Sequence, residues 1–127
     1  MEDSTNPRAR ATAALAELFL AEARRAGGFR GFEDAAVGVG HACMADAMGL
    51  APESLDSELM AARPKSLACH DVRTRTLATE VGDVSFSARR YRDEGGLDVY
   101  LLADALDLPY GRRVSPGAAE FLVEAGA

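Results

Sequence analysis

Apolar residues follow one spacing before Pro64 and another after it. Before it they recur every three to four positions. Ala11, Leu15, Leu18 and Phe19 stand at i, i+4, i+7 and i+8, one face of a helix. The run 8–26 is dense in Ala, Leu, Glu and Arg, the strongest helix formers. Thr5 or Asn6 can cap it, with Pro7 in the first turn, and Gly27-Gly28 stops it. Phe32, Ala36, Val39, Cys43, Ala47 and Leu50 share the face of a second predicted helix over 32–50. Gly38 and Gly40 weaken it by about 1 kcal/mol each against Ala. Pro52 and Ser54 open a third, short helix from Leu55 to about Arg63, and Pro64 blocks its continuation.

After Pro64 the spacing becomes two. Gly82-Asp83 reads as a two-residue hairpin turn between strands 72–81 and 84–92. That register sets Val81 against Val84, Thr79 against Phe86, Leu77 against Ala88, Arg75 against Arg90 and Arg73 against Arg92. The mostly apolar residues take one side. Ala78, Glu80, Ser85, Ser87, Arg89 and Tyr91 are among those on the other. Asp93-Glu94-Gly95-Gly96 makes a second turn, 97–101 a third strand, and 103–108 a short helix ended by Pro109. Ser115, with Pro116 behind it, caps a last helix to about Ala125.

The expected fold class is α+β: N-terminal helices, a small antiparallel meander with its hairpin about Gly82-Asp83, and short C-terminal helices. Three regions follow: a helical region 1–62, a basic hairpin and meander 63–101, and short helices 102–127 that lead toward a downstream domain. A chain of 127 residues supports one modest core. That core is thin. Apolar residues are 48%, but 25 residues are Ala, and Ile and Trp are absent. No apolar run is long enough to span a membrane, and no signal pattern opens the chain. With only Cys43 and Cys69, no disulfide framework is expected, and the chain reads as cytoplasmic.

The net charge of −6 argues against a surface that binds nucleic acid everywhere. The charge is uneven, however. Residues 1–62 are net −5, residues 63–92 net +4, and residues 93–127 net −5. Arg73, Arg75, Arg89, Arg90 and Arg92, with Tyr91, gather near the open end of the expected hairpin. Like charges facing each other are unfavourable unless an anion lies between them. A phosphate partner supplies one; so do acidic residues of the flanking segments, and a solvated strand surface needs neither.

Other groupings are weaker. His41, Cys43, Cys69 and His70 have the right number for zinc but not its spacing. Neither thiol has a local nucleophile or general-base pattern. Gly38-Val39-Gly40 lacks the third glycine of a dinucleotide loop, and no Gly-Lys-Ser/Thr occurs; tight helix packing explains these glycines better. Asp104 and Asp107, near Asp98, stand at i, i+3, a spacing better read as a solvated face than as a cation site. No catalytic residue, metal, cofactor or small-molecule substrate is expected.

The stretch 73–92, followed by Val99-Tyr-Leu-Leu-Ala-Asp-Ala-Leu-Asp-Leu-Pro and Arg113-Val-Ser-Pro, resembles the N-terminal region of ISLre-type insertion-sequence transposases. Gly82, Asp83 and Val84 match that family's turn, and Arg89, Arg90 and Tyr91 approximate its basic-aromatic end. Leu101, Leu102, Asp104, Leu106 and Leu108 follow its later Leu-Leu-Asp segment, with Ala103 inserted and Asp107 where Gly is usual. The likeness covers residues 63–127. It implies a non-catalytic N-terminal part of a transposase, its RNase H-like catalytic domain lying downstream. The implied work is weak DNA binding at element ends, or assembly of the transposition complex. The DNA contacts would be Lys65, Arg73, Arg75, Arg89, Arg90 and Arg92 to phosphates, with Tyr91 stacking or hydrogen bonding beside them. The alternative is a protein–protein interaction or dimerisation module that binds no DNA, in which helices 8–26 and 32–50 pair with another chain, as in a homo-oligomer.

Overall fold

The computed structural model describes residues 6–109, 111 and 113–119. The chain divides into two compact units, Met1–Cys43 and Met44–Ala127. The boundary falls inside a helix.

The first unit holds helix α1, Pro7–Arg25, and the start of helix α2, Phe29–Ala62. Asn6 caps α1: its Oδ1 accepts from the N–H groups of Arg8 at 2.8 Å and Ala9 at 3.2 Å. Pro7 takes the first turn, where its missing N–H costs nothing. Arg24 and Arg25 complement the dipole at the other end. Gly27 and Gly28 separate the two helices, and Phe29 and Phe32 meet edge to face at 5.4 Å. No residue of 6–43 is buried; Leu15 and Phe19 are half-buried. The tight packing expected at Gly38 and Gly40 is not found. A methyl group at Gly38 would meet nothing within 4 Å, and one at Gly40 would just touch the Phe19 ring at 4.0 Å.

Pro52 does not break the helix. The two helices expected over 32–50 and 55–63 are one, α2, of 34 residues. A proline in a helix interior removes one backbone hydrogen bond and costs about 3 kcal/mol. Contacts of the flanking turns offset that cost. Gly49, Glu53 and Asp56, at i, i+4 and i+7, lie along strand β2, and Leu55 and Leu59 pack against the core.

The second unit is built on a three-stranded antiparallel sheet in the order β1-β2-β3: Ala68–Thr79, Gly82–Arg92 and Asp98–Val99. Helix α3, Leu101–Ala105, follows. The fold is therefore α+β, as the two periodicities predict. The hairpin register differs from the expected one. The two-residue turn is Glu80-Val81, and Thr79 faces Gly82. The Thr79 hydroxyl accepts from the Val81 N–H at 3.2 Å and donates to the Gly82 carbonyl at 2.7 Å. Gly82 opens β2 at φ 115°, a value that favours glycine. Each β1 residue before the turn thus meets a partner four positions earlier in β2 than expected. Arg75 faces Phe86, Arg73 faces Ala88 and Leu77 faces Val84. A bulge between Cys69 and Asp71 then sets Asp71 opposite Arg90.

The slip is even, so the sides are those expected. Leu77, Val84 and Phe86 are buried on one face with Leu102 and Leu108. The other face carries hydroxyl pairs, Thr74 with Ser87 at 2.9 Å and Thr76 with Ser85 at 2.8 Å. The third strand is shorter than expected at both ends and the short helix starts and stops earlier, because Leu101 enters α3 rather than extending β3. Residues 116–119 are helical, with Ser115 Oγ accepting from the Ala118 N–H at 3.0 Å. The remainder of the last expected helix lies outside the described residues.

Candidate functional site

Both edges of the hairpin are covered in part. Ala78 N–H donates to the Arg113 carbonyl, and Ser115 N–H donates to the Ala78 carbonyl, each at 2.9 Å. These bonds close the outer edge of β1 at one point. On the outer edge of β2, helix α2 takes the place of a strand. Ser87 N–H donates to Glu53 Oε2 at 2.8 Å, and Arg89 N–H donates to Asp56 Oδ1 at 3.2 Å. Gly49 comes so close to the Ser85 carbonyl oxygen that no β-carbon fits between them. Helix carboxylates one turn apart thus satisfy alternate strand N–H groups, and the edge is not left as a template for another chain.

The same carboxylates and their neighbours hold the arginines. Asp56, nearly fully buried, also accepts from Arg89 Nη1 at 2.6 Å. Arg90 lies on the other face. It donates through Nε at 2.9 Å and Nη2 at 2.6 Å to the two oxygens of Asp71, a bidentate pair. Its Nη1 reaches Asp98 at 3.4 Å. Asp98 also accepts from Arg92 Nε at 3.1 Å, and Asp71 from Arg73 Nε at 3.3 Å. The hydrogen bonds from Arg90 hold the Asp71 carboxyl below the ordinary carboxylate range, with a smaller contribution from Arg73. The same contact raises the Arg90 guanidinium.

The like-charge opposition expected of the hairpin is therefore absent. Arg73 faces Ala88 rather than Arg92, and Arg75 faces Phe86 rather than Arg90. Nor do the arginines form one strip. Arg73, Arg75 and Arg90 share the side of Leu77 and Phe86, whereas Arg89 takes the opposite one. Arg75 donates to the Pro109 carbonyl at 3.1 Å. Lys65 is exposed in the turn between α2 and β1, off the sheet. Tyr91, expected to stack or hydrogen-bond beside the DNA contacts, is 0% exposed and out of reach of a surface ligand. Burial raises its phenol above the ordinary tyrosine value, with Asp56 as a smaller cause, and its hydroxyl has no hydrogen-bond partner among the described residues.

Sequence reasoning missed the acceptors. Neither Glu53 nor Asp56 stands out in the sequence; the signal is their spacing from Gly49, which puts all three on one face. Arg63 was missed too. It caps the end of α2, donating to the carbonyls of Met60 at 2.9 Å and Leu67 at 3.0 Å. Among the described residues, no three His, Cys, Asp or Glu side chains stand together as a metal site, so His41, Cys43, Cys69 and His70 do not assemble one. Cys69 is exposed and Cys43 half-buried, and neither forms a disulfide. No helix among the described residues is long and apolar enough to cross a membrane.

No curated protein matches the chain, and no solved structure does. A family model described as "Uncharacterised protein family (UPF0236)" matches residues 29–127, from the first residue of α2 through the sheet and beyond. The chain belongs to this family, UPF0236.

Proposed function

We propose that this chain is a self-assembly module of a transposase-type protein, pairing with a second copy through its N-terminal helices. The transposase context rests on the likeness of 73–92 and the later Leu-Leu-Asp segment to ISLre-type enzymes. One observation carries the assembly role: no residue of 6–43 is buried. Two helices without a buried side chain have little to hold them together, because helix stability in proteins comes mainly from packing an apolar face. Their large apolar side chains are open instead. Leu18 and Leu20 are about half exposed on α1, and Phe29 and Val37 more so on α2. Met44 and Met48, one turn apart on α2, are open as well. A second copy supplies the missing surface.

The arginines give less support to DNA binding. Arg73, Arg89, Arg90 and Arg92 each have a carboxylate of the same molecule. A DNA phosphate would have to displace Asp71, Asp56 or Asp98.

Salt separates the two roles. The helical region is acidic, so two copies repel, and screening strengthens their association. DNA retention weakens steeply with salt through counterion release. Light scattering across a concentration series, at low and moderate salt, is expected to show a dimer favoured by salt. A monomer at every concentration refutes the proposal. Gel retardation of duplex DNA that is lost when Arg89, Arg90 and Arg92 all become Ala restores the DNA role.

A further inference from the structure

The second unit contains a cleft of about 350 Å³ beside the outer edge of β1, within the size range of ligand pockets. Its floor is apolar: Phe86, Ala88, Leu102, Leu106 and Leu108. Among the described residues that line it, four are arginines (Arg73, Arg75, Arg89 and Arg113) and none is acidic. That bias is unusual in a chain of net charge −6. Arg89 is held by Asp56 on the far face of the sheet. Arg73 is half exposed and touches Asp71 through one nitrogen only, which leaves further N–H donors on its guanidinium.

Thr74 and Thr76 also line the cleft, although their hydroxyls are engaged with Ser87 and Ser85 on the opposite face. They line it with their main chain. The ladder explains why. Ala78 sends its N–H and C=O outward, to Arg113 and from Ser115. Thr76 and Thr74 share its parity, so their N–H and C=O groups point the same way. Among the described residues, no strand pairs with β1 on that side beyond Ala78. The cleft therefore combines a strand edge that no other described strand pairs, an apolar floor and a cationic rim.

We propose that this cleft binds an extended acidic peptide, which adds a strand to β1 at Thr74 and Thr76. Main-chain hydrogen bonds to the edge fix the peptide, alternate apolar side chains settle on the floor, and its carboxylates meet Arg73 and Arg113. Charge complementarity selects the acidic partner. The edge selects a peptide over DNA, since a nucleic-acid backbone has no N–H and C=O series to pair with a strand. The site is separate from the helices assigned to self-assembly, so each reading fails by its own measurement.

The test uses the full chain and a fluorescein-labelled heptapeptide alternating Glu with Val. Its controls are the Lys/Val analogue, the same acidic peptide N-methylated at alternate residues, and a duplex oligonucleotide. Anisotropy is expected to rise with the acidic peptide and not with the Lys/Val analogue. N-methylation removes the peptide's strand-pairing donors without altering the protein, and is expected to abolish binding. Arg73→Ala with Arg113→Ala, both at exposed positions, is expected to weaken it about tenfold or more. Amide shifts on binding are expected at Thr74 and Thr76. No binding up to about 1 mM overturns the proposal. So does binding that tolerates N-methylation, or that the oligonucleotide displaces from the same amides.

Discussion

Two glycines of α2 predict opposite outcomes for one substitution. Gly38→Ala and Gly49→Ala both replace a helical glycine with the best helix former, a gain of about 1 kcal/mol where space allows. At Gly38 a β-carbon meets nothing within 4 Å, so the gain is realised. At Gly49 it collides with the Ser85 carbonyl oxygen, and lies 3.5 Å from the Ser85 carbonyl carbon and 3.9 Å from Val84 Cγ1. The obstacle is strand backbone, which cannot rotate aside. The helix must lift. Lifting loosens the bonds from Ser87 N–H to Glu53 and from Arg89 N–H to Asp56, each a hydrogen bond to a charged acceptor worth about 1.5–3 kcal/mol. Against the propensity gain, the net loss for Gly49→Ala is about 2–5 kcal/mol if both bonds are lost. All three tyrosines lie in the second unit, so tyrosine fluorescence during urea unfolding reports Gly49→Ala. Helical circular dichroism on heating reports Gly38→Ala. If Gly49→Ala unfolds at the wild-type urea concentration or above it, α2 does not seal the β2 edge as described.

Further predictions concern the buried polar groups and the carboxylates. Tyr91→Phe removes a buried hydroxyl without a partner and is expected to be neutral or stabilising by up to about 2 kcal/mol, read from the urea midpoint. Because burial raises the Tyr91 phenol, its contribution to stability is complete below pH 10.0 and is lost as pH rises from there through the folded value; Tyr91→Phe should flatten that alkaline limb. Asp71 behaves in the opposite sense. Its lowered carboxyl stabilises the fold above pH 3.8 and loses that contribution as pH falls through the folded value, so acid unfolding of Asp71→Asn should show a shallower limb. Asp56→Ala strands both the Arg89 guanidinium and the Arg89 N–H and is expected to cost about 2–4 kcal/mol by chemical denaturation, with Asp56→Asn recovering part through its amide oxygen.

The helical half shows what a single sequence makes legible. Asn6, Pro7 and Gly27-Gly28 act within a turn of their own positions, and α1 starts and stops where they put it. Pro52 is as local a signal, yet it was overridden. Its penalty is fixed, while the face from Gly49 to Leu59 makes contacts with a strand thirty residues away that no local pattern records. The glycines of α2 illustrate the same limit. Gly38, Gly40 and Gly49 look alike in the sequence, and only the last has a close neighbour that excludes a side chain. Likewise Asp56 gave no sign of its burial, because its partner Arg89 is set by the fold and not by spacing.

The hairpin gives the sharper lesson, because its charge pattern bears directly on function. Alternation fixes which residues share a side, and any even slip preserves it. Leu77, Val84 and Phe86 would be buried together in either register. Cross-strand pairing then decides between the two. The expected register sets Arg75 against Arg90 and Arg73 against Arg92, like charges that repel unless an anion lies between them. The observed one sets Asp71 against Arg90, puts Thr74 and Thr76 against serines, and brings Leu77 opposite Val84. Each change replaces a repulsive or mismatched pair with a favourable one. The molecule resolves the apparent charge conflict by sliding its strands and recruiting Asp56, Asp71 and Asp98, so a cluster of arginines in the sequence is not by itself a binding site. Two of the cations that line a cleft, Arg73 and Arg113, stand beside a strand edge that no other described strand pairs. That arrangement suits an acidic peptide better than a duplex, and this preference, not the total count of arginines, is what the binding experiment tests.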